Sequence, residues 1–239
     1  MSKVILVTSG KGGTGKTMFS VNMGATLAHY GFRVMLVDMD MGLRNMDLYL
    51  GMENKVVYNI MDVMSGVCRI NKAMIKVDGF DNLYFMAAAP GKDNRDITPL
   101  HMKVLCDKLS GIFDFIIIDT PAGLGDILDI AMTPSQAAVI ITEPEIAALR
   151  DADTAERYLI NNGISETYII LNKVKFELMK EGLLPDLNSI KGIFNGPIAG
   201  IIQDDDNIHI STNRGTPIVS KQGTYIEANF REIVKRIVT

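Results

Sequence analysis

The chain has 239 residues, of which 47% are hydrophobic, and its 28 acidic and 24 basic side chains give a net charge of −4. This balance gives no overall attraction to nucleic acid or to anionic lipid, so binding of either would need a local basic patch. The longest apolar runs are too short to span a bilayer, and the N-terminus does not have the pattern of a secretory signal. We therefore expect one cytoplasmic globular domain that covers residues 1–239.

Short apolar runs alternate along the chain with segments of helical period. This alternation predicts a doubly wound, three-layer α/β fold with a mostly parallel sheet. Many of the strands end on a polar residue, and ligands of open α/β sheets bind beyond the carboxyl ends of the strands. The predicted strands are Val4–Thr8, Val34–Asp38, Leu83–Met86, Phe115–Asp119, Ala138–Thr142, Tyr168–Asn172 and Ala199–Ile202.

Helical periodicity and breaker residues place the main helices between these strands. The predicted helices are Lys16–Tyr30, Leu100–Ser110 and Glu145–Asn162, with two short helices expected within Asn54–Lys76. The final segment, "YIEANFREIVKRIVT", carries an apolar stripe at helical spacing. We expect this stripe to dock on the sheet rather than to lie on a bilayer.

The segment "GKGGTGKT" follows a strand, opens a helix and matches the phosphate-binding loop G-x-x-x-x-G-K-[ST] in full. Its glycines let backbone N–H groups turn towards phosphates, and the new helix adds its positive end. Lys16 is expected to bridge the β- and γ-phosphates, and the Thr17 hydroxyl to ligate Mg²⁺. The predicted nucleotide-binding residues of this segment are Gly10, Lys11, Gly12, Gly13, Thr14, Gly15, Lys16, Thr17 and Met18.

The loop contains a second lysine, Lys11, directly after its first glycine. At this position a side chain cannot easily fold back onto phosphates that its own loop wraps, but it can reach phosphates held by a facing subunit. Spacing alone leaves this hypothesis equal to that of a solvated surface lysine.

Acidic residues at strand ends are the candidates for magnesium and water. Asp38 ends a buried apolar run, which weakens the alternative of two solvated acids in a loop. A carboxylate there can hold Mg²⁺ through water, and Asp40, one step further, could orient the attacking water. Asp119 ends "DFIIIDTPAG", which has the pattern of a Walker B strand. The amide of Gly123, in the turn that follows, is a candidate sensor of the γ-phosphate.

The segment "KGGTGKT" resembles the deviant Walker A signature of the MinD/ParA family of dimerising ATPases. The resemblance implies a P-loop fold of the deviant Walker A type that binds ATP, ADP and Mg²⁺ and forms a homodimer with ATP. It makes Lys11 a cation that acts on the partner's nucleotide, with Lys11, Lys16 and Asp40 as the catalytic set. Thr17, Asp38 and Asp119 would form the magnesium shell.

Further segments, "DMDMGLRNMDLYLG", "VVYNIMDV" and "DTPAG", are similar to the MinD branch of that family. This similarity implies slow, dimerisation-dependent ATP hydrolysis that regulates placement of the division septum, with a septation inhibitor and a topological regulator as partners. Asn45 would lie in the switch region that meets partners. The exposed helix that begins near Glu145 is a candidate partner surface, through Arg150, Asp151 and Asp153.

Recognition of adenine is implied for Asn172, although a strand-ending Asn more often satisfies its own turn. Asp204 is a second candidate, but Gln203 replaces the proline common in the family. The chain also stops at "KRIVT", without the basic amphipathic helix typical of the branch. Membrane binding is therefore not expected, although a peripheral location at the inner face of the cell membrane stays open.

Three alternatives share the same nucleotide chemistry. A ParA-like DNA-partitioning ATPase would need a basic surface, and no dense Lys/Arg cluster is seen outside the last helix, so DNA binding is not expected. A regulator of flagellar number or polar localisation would differ only in its partner surface. A carrier of metal clusters would use Cys68 and Cys106, which lie in apolar, helix-like surroundings.

Overall fold

A computed structural model describes residues 2–42, 44–89, 91 and 97–239. Eight strands form one sheet in the order β3-β4-β2-β5-β1-β6-β7-β8. All neighbours are parallel except β3 and β4, which pair antiparallel at the sheet edge. The strands are β1 Lys3–Thr8, β2 Val34–Asp38, β3 Ile75–Lys76, β4 Leu83–Met86, β5 Phe115–Asp119, β6 Ala137–Thr142, β7 Glu166–Val174 and β8 Ile198–Gln203.

All seven predicted strands are present, because a parallel sheet covered on both faces requires near-continuous apolar runs. Every residue of β2, β5 and β6 is buried. The two short helices predicted within Asn54–Lys76 are present as Ile60–Met64 and Ile70–Ala73, and the segment also ends in an edge strand that was not predicted, Ile75–Lys76. A strand of two residues carries no periodicity that sequence analysis can detect.

Eleven helices cover the described parts of the sheet and its edges. They are α1 Lys16–His29, α2 Met46–Tyr49, α3 Ile60–Met64, α4 Ile70–Ala73, α5 Pro99–Ser110, α6 Asp126–Met132, α7 Ile146–Asn161, α8 Phe176–Lys180, α9 Leu187–Lys191, α10 Asp206–Asn213 and α11 Tyr225–Val238. One hydrophobic cluster joins α5, α6 and α7 to one face of the sheet. A second joins α1 and α11 to the other face, which completes the predicted three layers.

The last helix, α11, is docked on the sheet as predicted. Its stripe, from Ile226 through Phe230 to Ile237, is buried, and Phe230 contacts Phe19 of α1 with ring centroids 5.9 Å apart. Polar groups add to this packing, since Arg236 Nη1 donates to the Ala199 carbonyl at 3.0 Å. None of the helices in the described ranges is both long and apolar enough to cross a lipid bilayer.

Strand register brings the functional residues together at the carboxyl ends of the parallel strands. In the central strands Val7 and Asp38 both lie beside Asp119. The loop after β1 therefore starts between the carboxyl ends of β5 and β6, where the fold leaves room for a ligand.

A buried carboxylate far from these strand ends ties α7 to the start of β8. Glu156 is fully buried, and its Oε1 accepts hydrogen bonds from the Gly196 N–H at 2.6 Å and the Thr167 hydroxyl at 2.9 Å. Its Oε2 accepts from the Asn195 N–H at 2.9 Å. Both carboxylate oxygens are thus required as acceptors.

Replacing Glu156 with Gln should lower the free energy of unfolding by about 2 kcal/mol, because the amide N–H₂ faces a backbone donor and leaves it unsatisfied. Urea unfolding monitored by circular dichroism measures the change. Glu232→Gln on the exposed face of α11 is the control and should leave the midpoint unchanged. An equal midpoint for Glu156→Gln and the wild type would contradict this role.

Candidate nucleotide site

The glycine-rich loop, residues 10–17, connects β1 to α1 and has no room for side chains at two points. A Cβ on Gly10 would lie 2.4 Å from the backbone of Asp151 in α7. A Cβ on Gly15 would lie 2.3 Å from Asn172 Nδ2, and Gly15 has a φ of +94°. These contacts hold the loop between α7 and the end of β7.

Lys16 is buried at the floor of this loop. Its Nζ donates to Ser9 Oγ at 3.0 Å, and Ser9 Oγ donates to the Lys11 carbonyl at 2.7 Å. Burial lowers the pKa of Lys16, while the charges of Asp119 and Asp40 oppose that shift. A buried cation at this position is suited to bind a polyanion that enters the loop.

Asp119, at the end of β5, is buried and accepts two hydroxyl hydrogen bonds from α1. Thr17 Oγ1 donates to its Oδ2 at 2.6 Å, and Ser20 Oγ donates to its Oδ1 at 2.9 Å. Burial raises the pKa of Asp119 to about 6, against the effect of these two bonds and of Lys16. Ser20, one turn after Thr17, was not among the predicted site residues.

Asp38, at the end of β2, holds the chain that follows it. Its two oxygens accept from the Asp40 N–H at 2.9 Å and the Met46 N–H at 3.4 Å. The backbone therefore turns after β2, and Asp40 is not a simple continuation of the strand. Burial, and next the charge of Asp119, raise the pKa of Asp38 well above its usual range.

The donor set fits magnesium bound through hydroxyl, water and phosphate oxygens. Thr17 supplies a hydroxyl already directed by Asp119, and the buried charges of Asp38 and Asp119 would be relieved by a cation. Within the described ranges, no three His, Cys, Asp or Glu side chains converge to form a metal cage. This arrangement matches a cation that keeps several waters and arrives with phosphates.

Lys11 lies on the rim of the loop, where two carboxylates hold its ammonium group. Its Nζ is 3.2 Å from Glu145 Oε2 and 3.6 Å from Glu143 Oε2, and 33% of its side chain is exposed. The hydrogen bond to Glu145 is the main cause that raises the pKa of Lys11. Glu143 and Glu145 follow the end of β6 and were not assigned to the site from the sequence as partners of this lysine.

A cleft beside the loop is the candidate base site, and it is lined by five residues predicted to bind nucleotide: Gly13, Gly15, Met18, Asn172 and Asp204. Asn172 Nδ2 donates to the Thr14 carbonyl at 2.7 Å, so this side chain also fixes the loop. Asp204 lies 3.5 Å from Lys175 Nζ. Tyr49 and His209 also line the cleft and were not predicted.

Short contacts hold the two segments that were predicted to act as switches, the turn at Gly123 and the segment around Asn45. The Gly123 N–H donates to the Ser9 carbonyl at 2.9 Å, so in this structure it is already bonded to the loop's entrance. Arg44, with a φ of +44°, forms an ion pair with the buried Asp47 at 2.6 Å. Asn45 precedes α2, and Leu43, within the quoted motif, lies outside the described residues.

The two cysteines do not lie at the carboxyl ends of the strands, where the nucleotide site is. Cys106 is buried in α5, within the hydrophobic cluster that joins α5, α6 and α7 to the sheet, and Cys68 packs against that cluster. Burial raises the pKa of Cys106 to about 12, as is typical of a buried structural thiol.

These features define a P-loop nucleotide-binding protein with a second lysine on the rim of its loop. A family model described as an AAA domain matches residues 2–159. The septum site-determining protein MinD of Synechocystis sp. is 39% identical and covers 99% of this chain and 90% of its own length. Two similar structures extend the comparison.

The first is the MinC:MinD cell division protein complex of Aquifex aeolicus, which is 34% identical with a TM-score of 0.91 and covers 99% of this chain and 95% of that chain. The second is MinD complexed with Mg-ADP from Pyrococcus horikoshii, which is 28% identical with a TM-score of 0.89 and covers 100% and 97%. The chain belongs to the MinD family of P-loop ATPases. The resemblance and the fold class predicted from the sequence are both confirmed.

The close approach of Gly15 to Asn172 allows a test of whether the hydrogen bond from Asn172 to the Thr14 carbonyl stabilises the loop. Gly15→Ala should lower the free energy of unfolding about 1 kcal/mol more than Gly13→Ala, because the added methyl displaces Asn172 from the Thr14 carbonyl. Gly13 is the matched control, since its φ is +80° but a Cβ there would meet nothing within 4 Å. Thermal unfolding without nucleotide measures both, and equal melting temperatures would contradict the predicted support.

Proposed function

We propose that this chain is a single ATPase domain that acts as an ATP-driven dimerisation switch and regulates placement of the division septum. The position of Lys11 carries the proposal, because its ammonium group lies on the rim of the phosphate loop, where Glu143 and Glu145 hold it and a facing subunit could approach it. The relatives of this chain include septum site-determining proteins, which supports a role in placing the division septum.

ATP would bind with its phosphates in residues 10–17 and its base in the adjoining cleft. Lys16 would bind the β- and γ-phosphates, and the first turn of α1 would add N–H groups. Asn172 and Asp204 would contact the base. Mg²⁺, held by Thr17 and through water by Asp38 and Asp119, would offset phosphate charge.

Dimerisation would complete the site with the second lysine. The Lys11 ion pair with Glu145, whose side chain is 58% exposed, lies at the surface, where such pairs contribute only about 0–1 kcal/mol. A bond from Lys11 to a triphosphate would also be charge-assisted, and between two subunits it would be screened by solvent and salt less than the surface pair that it replaces. The exchange therefore favours a dimer in which each Lys11 contacts the partner's nucleotide.

Hydrolysis would then dissolve the dimer. Asp40 follows β2, and its negative charge acts to raise the pKa of Lys16, which supports a position for its carboxylate near the γ-phosphate. There it would orient the attacking water. Loss of the γ-phosphate removes the anion that draws Lys11 across the interface, so the ADP form returns to monomers. Gly123 would report this loss through its amide.

An Asp40→Ala variant should hydrolyse ATP slowly and accumulate as a dimer with ATP and a monomer with ADP. Adding Lys11→Ala should keep the protein monomeric with both nucleotides, since the trans cation is lost. Sedimentation velocity gives the masses, and Lys180→Ala, on the exposed end of α8, is the control. A monomeric Asp40→Ala protein in saturating ATP would contradict the switch.

A septation inhibitor is the expected partner of the ATP dimer, because the similar Aquifex aeolicus structure is a complex of MinC with MinD. The candidate surface is the outer face of α7, where Arg150 and Asp151 are exposed and Asp153 pairs with Arg157 at 2.9 Å. The backbone of Asp151 touches Gly10, so this surface adjoins the nucleotide loop.

Charge reversal at Arg150 should weaken binding of the inhibitor encoded in the same genome by about tenfold or more, as for a central charged contact. ATP-dependent co-sedimentation of the two purified proteins measures the loss. ATP-dependent dimerisation should be unchanged, and Lys180→Glu serves as the matched reversal away from α7. Undiminished binding by Arg150→Glu would exclude this face.

A further inference from the structure

Lys173 adopts a backbone conformation that lysine rarely adopts. Its φ is +54°, in the left-handed region, and the pairing of β7 with β8 shifts register between Leu171 and Val174. Such a conformation in a non-glycine residue persists only where surrounding contacts determine it, and it concentrates at functional sites. The kink thus marks a position where the side chain's direction matters.

The kink directs two successive side chains onto two successive carbonyls of the phosphate loop. Asn172 Nδ2 donates to the Thr14 carbonyl at 2.7 Å, and Lys173 Nζ donates to the Gly13 carbonyl at 2.6 Å. Carbonyls that are bonded on this outer side leave the loop's N–H groups directed inward. The end of β7 therefore holds the loop in the shape that binds phosphates.

Lys173 also shares a carboxylate with the rim lysine. Its Nζ lies 2.9 Å from Glu143 Oε1, while Lys11 Nζ lies 3.6 Å from Glu143 Oε2. Only 14% of the Glu143 side chain is exposed, against 58% for Glu145. Glu143 is therefore the less solvated of the two acids that hold Lys11, and the one more costly to leave unpaired.

We propose that Lys173 is a positioning residue that holds the phosphate loop and keeps Glu143 paired, so that Lys11 is free to leave for the partner's nucleotide. This inference rests on the proposed function and adds a residue that controls how readily Lys11 leaves Glu143. With Lys173 present, departure of Lys11 leaves Glu143 in an ion pair. Without Lys173, departure of Lys11 leaves a largely buried carboxylate uncompensated, so Lys11 is retained.

The test uses the Asp40→Ala protein and the ATP concentration at which half of it is dimeric. Lys173→Met should raise that concentration about tenfold, in line with the usual cost of an unpaired charged group. Lys173→Arg should preserve most of the wild-type value. Lys180→Met is the matched control and should change nothing.

A second substitution separates positioning from a purely structural role. Adding Glu143→Gln to Lys173→Met removes the charge that retains Lys11 and should recover most of the lost dimerisation. Glu143→Gln alone should lower the half-point, a result that does not depend on the folding of the Lys173 variants. An unchanged half-point in Lys173→Met, a loss that Glu143→Gln does not recover, or no effect of Glu143→Gln alone would overturn the inference.

Failure of the underlying switch gives a different result. If Lys11→Ala still dimerises with ATP, the proposed function itself is wrong. If Lys11→Ala stays monomeric while the Lys173 and Glu143 variants behave as the parent, only the role of Lys173 is excluded.

Discussion

Charge confined to one edge of the sheet is the constraint on which the site depends. Parallel register brings Asp38 and Asp119 side by side, both buried, with Lys16 as the buried cation near them. Burial raises the pKa of both acids and lowers that of the lysine. A magnesium–triphosphate group would supply charges of both signs. Its cation would stabilise the two buried carboxylates, and its phosphates would stabilise the buried ammonium group of Lys16.

The three lysines around the loop differ in their contacts, and these contacts separate their roles. Lys16 is buried and fixed to Ser9, which suits permanent binding of phosphate. Lys11 is on the rim, and its shorter ion pair, with the exposed Glu145, lies at the surface, which suits a cation that moves. Lys173 joins the loop to Glu143 from outside, which suits a fixed support.

The sequence predicts most of this architecture because its strongest signals are local. Seven strands follow from apolar runs, and Lys16, Thr17 and Asp119 follow from motifs of fixed spacing. The contacts of Glu143 and Lys173 could not be predicted in the same way, since they depend on register between β6, β7 and the loop. The acidic pair in "TEPE" after an apolar strand was the available signal. The edge strand β3 and the left-handed Lys173 leave no pattern in composition or period.

The claim that Lys11 acts on the other subunit is tested most directly by mixing two inactive proteins. A Lys11→Ala subunit keeps an intact phosphate loop at Lys16, and a Lys16→Gln subunit keeps the rim lysine. If Lys11 acts in trans, mixing them forms one complete site per heterodimer and restores ATP hydrolysis that neither protein shows alone. If the mixture hydrolyses ATP no faster than its two components measured separately, the rim lysine does not act across the interface and the account is contradicted.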